Sequence, residues 1–184
     1  MRAEIATPIR LRSYETPTAV EEVDCTIVQA ARATSAASTF FKPIVIQGQC
    51  FVDGATGYNN PVEEVLDEVQ HIWSSDGRRV ERFVSIGTGK PVLEPFGQNL
   101  KAVAEALVRI STDTERAAER FEKTAVRAYG FSGLYFRFNS HGLEKVGLEN
   151  YSSLGRIVAA TNNYLNENDT RKKLDAFAAN IPCT

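Results

Sequence analysis

Few side chains in this 184-residue chain could do chemistry, and their spacing narrows them further. Asp53 stands in Phe51-Val52-Asp53-Gly54-Ala55, directly after a short apolar run. A carboxylate held at a strand end can act as a general base when a proton donor comes within hydrogen-bond reach. Taken alone, an Asp-Gly pair there also reads as an ordinary turn. Gly87-Thr88-Gly89-Lys90 invites a phosphate-loop reading, but Val84 and Pro91 occupy the places where that loop needs glycine and a hydroxyl residue. The dinucleotide fingerprint fails as well, because Val92 replaces its third glycine. A strand-ending loop that needs small residues for a close turn is the better account.

Histidine and cysteine offer less. His71 and His141 lie far apart with no cluster of ligands at metal spacing, so surface or capping roles are expected of both. Cys25, Cys50 and Cys183 are odd in number and form no C-x-x-C pair, which argues against a disulfide framework or a zinc site. No metal and no organic cofactor are expected.

The elements that must position Asp53 can be read from apolar period. Ile9 and Leu11 alternate with Arg10 and Arg12, which predicts a short strand before Pro17. A helical pattern begins at Val23 and leads into the small-residue run 33–38, which suits either a core helix or a close backbone approach. Gln49 to Val52 predicts a strand. Asn59-Asn60-Pro61 then predicts a helix start, with Asn60 as cap and Pro61 at the first helical position. Val62, Val65, Leu66, Val69 and Ile72 give that helix one buried face up to about Trp73, and Ser74 to Gly77 ends it. Arg82 to Ile86 reads as a buried parallel strand, so strand, helix and strand together predict a β-α-β unit.

Beyond it, Asn99 to Tyr129 reads as one long or two shorter helices, with Leu100, Val103, Leu107, Ile110, Ala117, Phe121 and Ala125 on a stripe. Glu105 with Arg109, and Glu119 with Lys123, are favourable pairs on its wet side. Leu134 to Phe138 alternates like a strand, and helices over Tyr151 to Leu165 and Arg171 to Phe177 finish the chain.

Composition bounds the partners. With 21 Lys+Arg against 23 Asp+Glu the net charge is −2, which excludes the strongly basic surface that nucleic acid requires. Apolar residues make up 43%, enough for one ordinary globular domain or part of one, and residues 1–184 are read as a single partial domain. No apolar run approaches the roughly 20 residues that span a bilayer. A cytoplasmic location, with peripheral contact at membranes, is the expectation.

The runs Arg10-Leu11-Arg12-Ser13-Tyr14, Ala31-Arg32-Ala33-Thr34-Ser35-Ala36-Ala37, Phe40-Phe41-Lys42-Pro43, Phe51-Val52-Asp53-Gly54-Ala55, Asn59-Asn60-Pro61 and Ser85-Ile86-Gly87-Thr88-Gly89 stand in one particular order. In that order the chain resembles the C-terminal half of the patatin-like phospholipase domain. Leu134 to Asn139, followed by Gly142-Leu143-Glu144, is similar to members from filamentous fungi. Ser38 departs from the pattern, which usually has proline there.

The resemblance implies an α/β fold, part of a three-layer α/β/α sandwich, and a lipid acyl hydrolase working through a Ser-Asp dyad without histidine. Asp53, Gly54 and Ala55 would form its Asp-Gly-Gly/Ala motif with Asp53 as base, and Asn59 and Asn60 would support it. The substrate would be a lipid or fatty-acyl ester. The nucleophile elbow Gly-x-Ser-x-Gly is missing, since no serine of the chain has glycine at both the second position before and the second after it. Little hydrolysis is therefore expected of this chain by itself, because base, nucleophile and oxyanion donors act as a unit. The alternative is a truncated, non-catalytic interaction or regulatory module. Either way an exposed sheet edge would favour self-association.

Overall fold

The computed structural model describes residues 1–16, 22–37, 40–73, 80–90, 113–144, 146–147 and 149–179. They fall into two compact units, the first ending at residue 73 and the second beginning at residue 80. Helices combine with one antiparallel and one parallel pair of strands, which bears out the α/β class.

In the first unit, α1 (Ile27–Thr34) begins later than Val23 because Thr26 and Gln29 form a reciprocal cap. The Gln29 N–H donates to Thr26 Oγ1 at 3.2 Å, and the Thr26 N–H donates to Gln29 Oε1 at 2.8 Å. A hairpin follows, made of β1 (Ile44–Ile46) and β2 (Gln49–Phe51), with Ile44 opposite Phe51. The sequence reading missed β1. Its signature is the two-residue link Gln47-Gly48, both with left-handed φ of 50° and 78°, as a tight hairpin turn requires. Ile46 and Phe51 enter a core with Val23 and Ala33, against which Ile9, Leu11, Cys25 and Ile44 pack.

Residues 8–14 form no strand. The alternation is real, with Ile9 and Leu11 turned to the core, but side-chain ion pairs replace a strand ladder. The partners lie on α3 (Val62–Trp73). Arg10 donates from Nε to Glu64 Oε2 at 3.0 Å, from Nη2 to Asp67 Oδ2 at 3.2 Å and from Nη1 to Glu68 Oε2 at 3.2 Å. Arg12 grips Glu68 through both Nε and Nη2, and the Tyr14 hydroxyl donates to Glu68 Oε1 at 3.1 Å. These donors, Arg12 foremost, hold the Glu68 carboxyl down at about 2. α3 starts one residue later than expected: Pro61 precedes it, and its carbonyl accepts from Val65 N–H at 3.0 Å. The short α2 (Ala55–Tyr58) lies between the hairpin and α3.

In the second unit, β3 (Phe83–Ile86) pairs in parallel with β4 (Tyr135–Phe138), and α4 (Thr114–Tyr129) lies between them in sequence. The β-α-β unit is thus β3-α4-β4 and not the expected β2-α3-β3. The Gln47-Gly48 turn gives β2 an antiparallel partner in β1 instead. Asp113 caps α4, its Oδ1 accepting from the Glu115 and Arg116 N–H groups at 3.0 and 3.2 Å. Ala118 and Phe121 are buried on this helix, a slight rotation from the stripe expected through Ala117. Phe121 meets Phe83 and Tyr135 with ring centres 5.1 and 5.0 Å away. The expected Glu119–Lys123 pair forms at 3.7 Å, whereas residues 99–112 with the Glu105–Arg109 pair, residues 74–77, Ser38 and Cys183 lie outside the described residues. A 3₁₀ turn (Tyr151–Ser153), α5 (Leu154–Asn166) and α6 (Asn168–Ala178) follow, and Phe177 of α6 packs edge-on against Phe136.

The loop after β3 is as tight as its glycines suggested. The Gly87 N–H donates to Phe138 O at 2.8 Å, Gly89 N–H to Asn139 Oδ1 at 2.7 Å and Lys90 N–H to Ser140 O at 2.9 Å. A Cβ at Gly87 would overlap the side chains of Asn139 and Arg137. Gly89 has φ +125°, a conformation that side chains other than hydrogen rarely allow.

Two outcomes follow from these contacts. Glu68 has a folded-state pKa of about 2 against an ordinary 4.5, so its contribution is complete above 4.5 and fades as pH falls toward 2. Urea midpoints should decline over that range, and Glu68→Gln should remove part of the slope; an identical slope in the variant would refute the pairing. Gly87→Ala should cost about 1–3 kcal/mol by overpacking. A denaturation curve superimposable on that of the native chain would show that the loop has room to spare.

Candidate active site

The site begins with the parity of β2. Phe51 is driven into the core, so the chain leaves the hairpin at Val52 with its backbone close to the small-residue run. The Asp53 N–H donates to Ala36 O at 3.0 Å, and Ala36 is completely buried. A larger residue at 36 could not lie there, and Ala33, also buried, is small for the same reason. On the other flank, the Met1 backbone nitrogen donates to Val52 O at 2.9 Å.

The carboxylate of Asp53 is half-buried. Its Oδ1 accepts from the Ala55 N–H at 2.9 Å, an Asx turn that starts α2, and the Tyr58 N–H closes the helix on Gly54 O at 2.9 Å. Among the described residues Oδ2 has no hydrogen-bond partner. One oxygen is thus fixed, and the side chain as a whole remains partly accessible. Gly54 has an ordinary φ of −77°, and a Cβ there would make only normal contact with Tyr58 at 3.6 Å. The described backbone therefore does not demand glycine at this position.

Asn59 and Asn60 lie at the junction of α2 and α3, Asn59 exposed and Asn60 buried. All five residues read from the sequence, Asp53, Gly54, Ala55, Asn59 and Asn60, therefore occupy one short stretch of the first unit. The histidines take the surface roles expected. His71 Nδ1 meets Asp67 O at 2.8 Å within α3, and His141 Nε2 lies 3.5 Å from Lys90 Nζ in the second unit.

A cleft of about 460 Å³ in the first unit is lined by Arg10, Arg12, Tyr14, Glu22, Asp24 and Cys25 among others. Asp53 does not line it, and its two arginines are committed to α3.

The second unit holds a polar cluster that the sequence reading did not anticipate. Arg137 donates to Glu115 Oε1 at 2.9 Å, to Ser85 Oγ at 2.9 Å and to Thr114 Oγ1 at 2.8 Å. Asn139 Nδ2 reaches the same Glu115 oxygen at 2.9 Å, and its backbone N–H donates to the Tyr164 hydroxyl at 3.3 Å. The available signal was an arginine within the apolar alternation Tyr135-Phe136-Arg137-Phe138, opposite Ser85 in the register. Its positive charge is matched by Glu115, so the cluster clasps loop, strand and helix together. Within it the Ser85 hydroxyl oxygen is engaged as an acceptor from Arg137.

Comparison with known proteins falls on the segment that holds Asp53. Residues 2–66 match the family model for patatin-like phospholipase. The chain is 28% identical over 149 residues to the calcium-independent phospholipase A2-gamma of Mus musculus, covering 79% of this chain and 19% of that protein. The protein of the same description from Rattus norvegicus is 28% identical over 151 residues, again covering 79% of this chain and 19% of its own length. The chain therefore spans about a fifth of the curated relatives it matches, and the likeness supports a patatin-like domain around Asp53.

Proposed function

We propose that the chain is part of a patatin-like lipid acyl hydrolase in which Asp53 is the general base of a Ser-Asp dyad. The observation that carries this reading is the Asp53 carboxylate at the exit of β2. Its Oδ1 is held by the Ala55 N–H, its Oδ2 is open among the described residues, and it sits inside the segment that matches the family model. In such a dyad the carboxylate takes the serine proton as the serine oxygen attacks the ester carbonyl. It then returns the proton to the departing alcohol. The fixed oxygen keeps the carboxylate in one rotamer, so the open oxygen is aimed without loss of entropy at the moment of attack.

The nucleophile and the oxyanion donors would come from sequence outside these 184 residues. Two facts favour that: no serine here has the flanking glycines of a nucleophile elbow, and the matched relatives are about four times as long. The similarity of Leu134 to Asn139 to filamentous fungal members suggests a protein of that type, acting in the cytoplasm or peripherally at membranes. Exposed Val84 and Ile86 on β3 mark where self-association would occur.

Asp53→Asn in the full-length protein keeps the shape of the side chain but removes the base. Ester hydrolysis should fall by roughly 10²–10⁴-fold while thermal unfolding stays cooperative. Activity retained in a folded variant would take Asp53 out of the mechanism.

A further inference from the structure

The turn that follows the small-residue run leaves two aromatic rings in water. The Phe40 and Phe41 N–H groups both donate to Ala37 O at 3.0 Å, and the neighbouring carbonyl of Ala36 holds Asp53. Phe40 is 49% and Phe41 59% exposed, a large apolar area for a soluble surface. Beside the rings stand two cations. Arg32 of α1 donates from Nη2 to Lys42 O at 2.5 Å and places its guanidinium carbon 5.4 Å from the centre of the Phe41 ring. Its Nη1 is buried without a hydrogen-bond partner among the described residues, so no carboxylate neutralises it there. Lys42 is exposed.

The surrounding sequence is free of acid. From Thr26 to Val52 the chain carries Arg32 and Lys42 and neither Asp nor Glu, although acids outnumber bases in the whole chain. Among the described residues, Glu4 reaches this stretch from outside it and accepts from the Cys50 N–H at 3.3 Å in β2. Val28, four residues before Arg32 on α1 and hence on the same helical face, is also exposed.

From this juxtaposition we infer that the Phe40-Phe41-Lys42 turn, backed by Arg32, is an interfacial docking surface for an anionic phospholipid bilayer. Aromatic rings settle at the headgroup boundary of a membrane, and nearby Lys and Arg meet lipid phosphates. A protein partner fits less well, because lysine is depleted from the buried centre of protein interfaces. The choice of a lipid partner rests on the acyl-hydrolase reading. The placement adds something to it: the surface is tied through Ala36 and Ala37 to the backbone of Asp53, so docking would bring the base close to the bilayer that holds its substrate.

The test is flotation of the full-length protein with vesicles of phosphatidylcholine and phosphatidylglycerol, and with vesicles of phosphatidylcholine alone. The double variant Phe40→Ser, Phe41→Ser should lose about tenfold or more in partition. Lys42→Glu should weaken binding to the anionic vesicles only, and Tyr151→Ser, at a residue 93% exposed in the second unit, should leave binding unchanged. Circular-dichroism melting of each variant confirms that it is folded. Equal flotation of a folded double variant overturns the proposal, as does failure of the native chain to float. Loss of self-association in the double variant with vesicle binding intact also overturns it and points to a second copy as the occupant. Asp53→Asn in the full-length protein separates the two readings. Hydrolysis lost with flotation kept supports both, whereas hydrolysis that depends on Asp53 in a protein that does not float removes the docking surface alone.

Discussion

The hydrogen bond from the Asp53 N–H to Ala36 O, 3.0 Å long, brings two backbones together at a place where one residue is wholly buried. Much of the first unit answers to that close approach. Residue 36 must be small, and α1 ends at Thr34, two residues before it. Because the carbonyl of the next residue, Ala37, takes the N–H groups of Phe40 and Phe41, the same approach also determines where the aromatic turn lies. The placement of the proposed base and of the candidate membrane surface therefore follows from one backbone contact.

Charge is used in the two units in the same manner and for a similar end. Arg10 and Arg12 tie an extended segment to three carboxylates of α3, and Arg137 ties β4 to Glu115 and Thr114 at the start of α4. In both places the planar guanidinium fork spreads several donors over several acceptors, which a lysine could not match. Pairs of this partly buried kind specify arrangement more than they stabilise it, since desolvation offsets much of the attraction. Arg10, Arg12 and Arg137 are thus already committed, whereas Arg32 lies over an aromatic ring beside an exposed lysine.

The surroundings of Asp53 combine rigidity with access. An Asx turn restrains one carboxylate oxygen at no cost in length, while half-burial leaves the group reachable. A base needs both properties, because an unrestrained carboxylate spends entropy on alignment and a fully buried one cannot meet its proton donor. The contrast with Ser85 is instructive. That hydroxyl is buried and accepts from Arg137, its register partner on β4.

Local signals in the sequence determined α3 nearly to the residue, because its apolar spacing and its Asn-Asn-Pro entry agree. They also determined the strands at Phe83–Ile86 and Tyr135–Phe138, the tight Gly87 to Gly89 loop and the position of Asp53 at a strand exit. What they could not supply was pairing. The alternation at residues 8–14 has the period of a strand, yet the backbone there finds no ladder, and β2 pairs with a strand whose three residues were too short to stand out. Likewise the clasp of Arg137, Glu115 and Asn139 joins residues 22 and 24 positions apart. Period and capping are properties of neighbouring residues and survive in any context. Strand partners, partly buried ion pairs and the backbone that holds Asp53 against Ala36 are decided by which distant segments arrive at the same point, and only the folded chain brings them there.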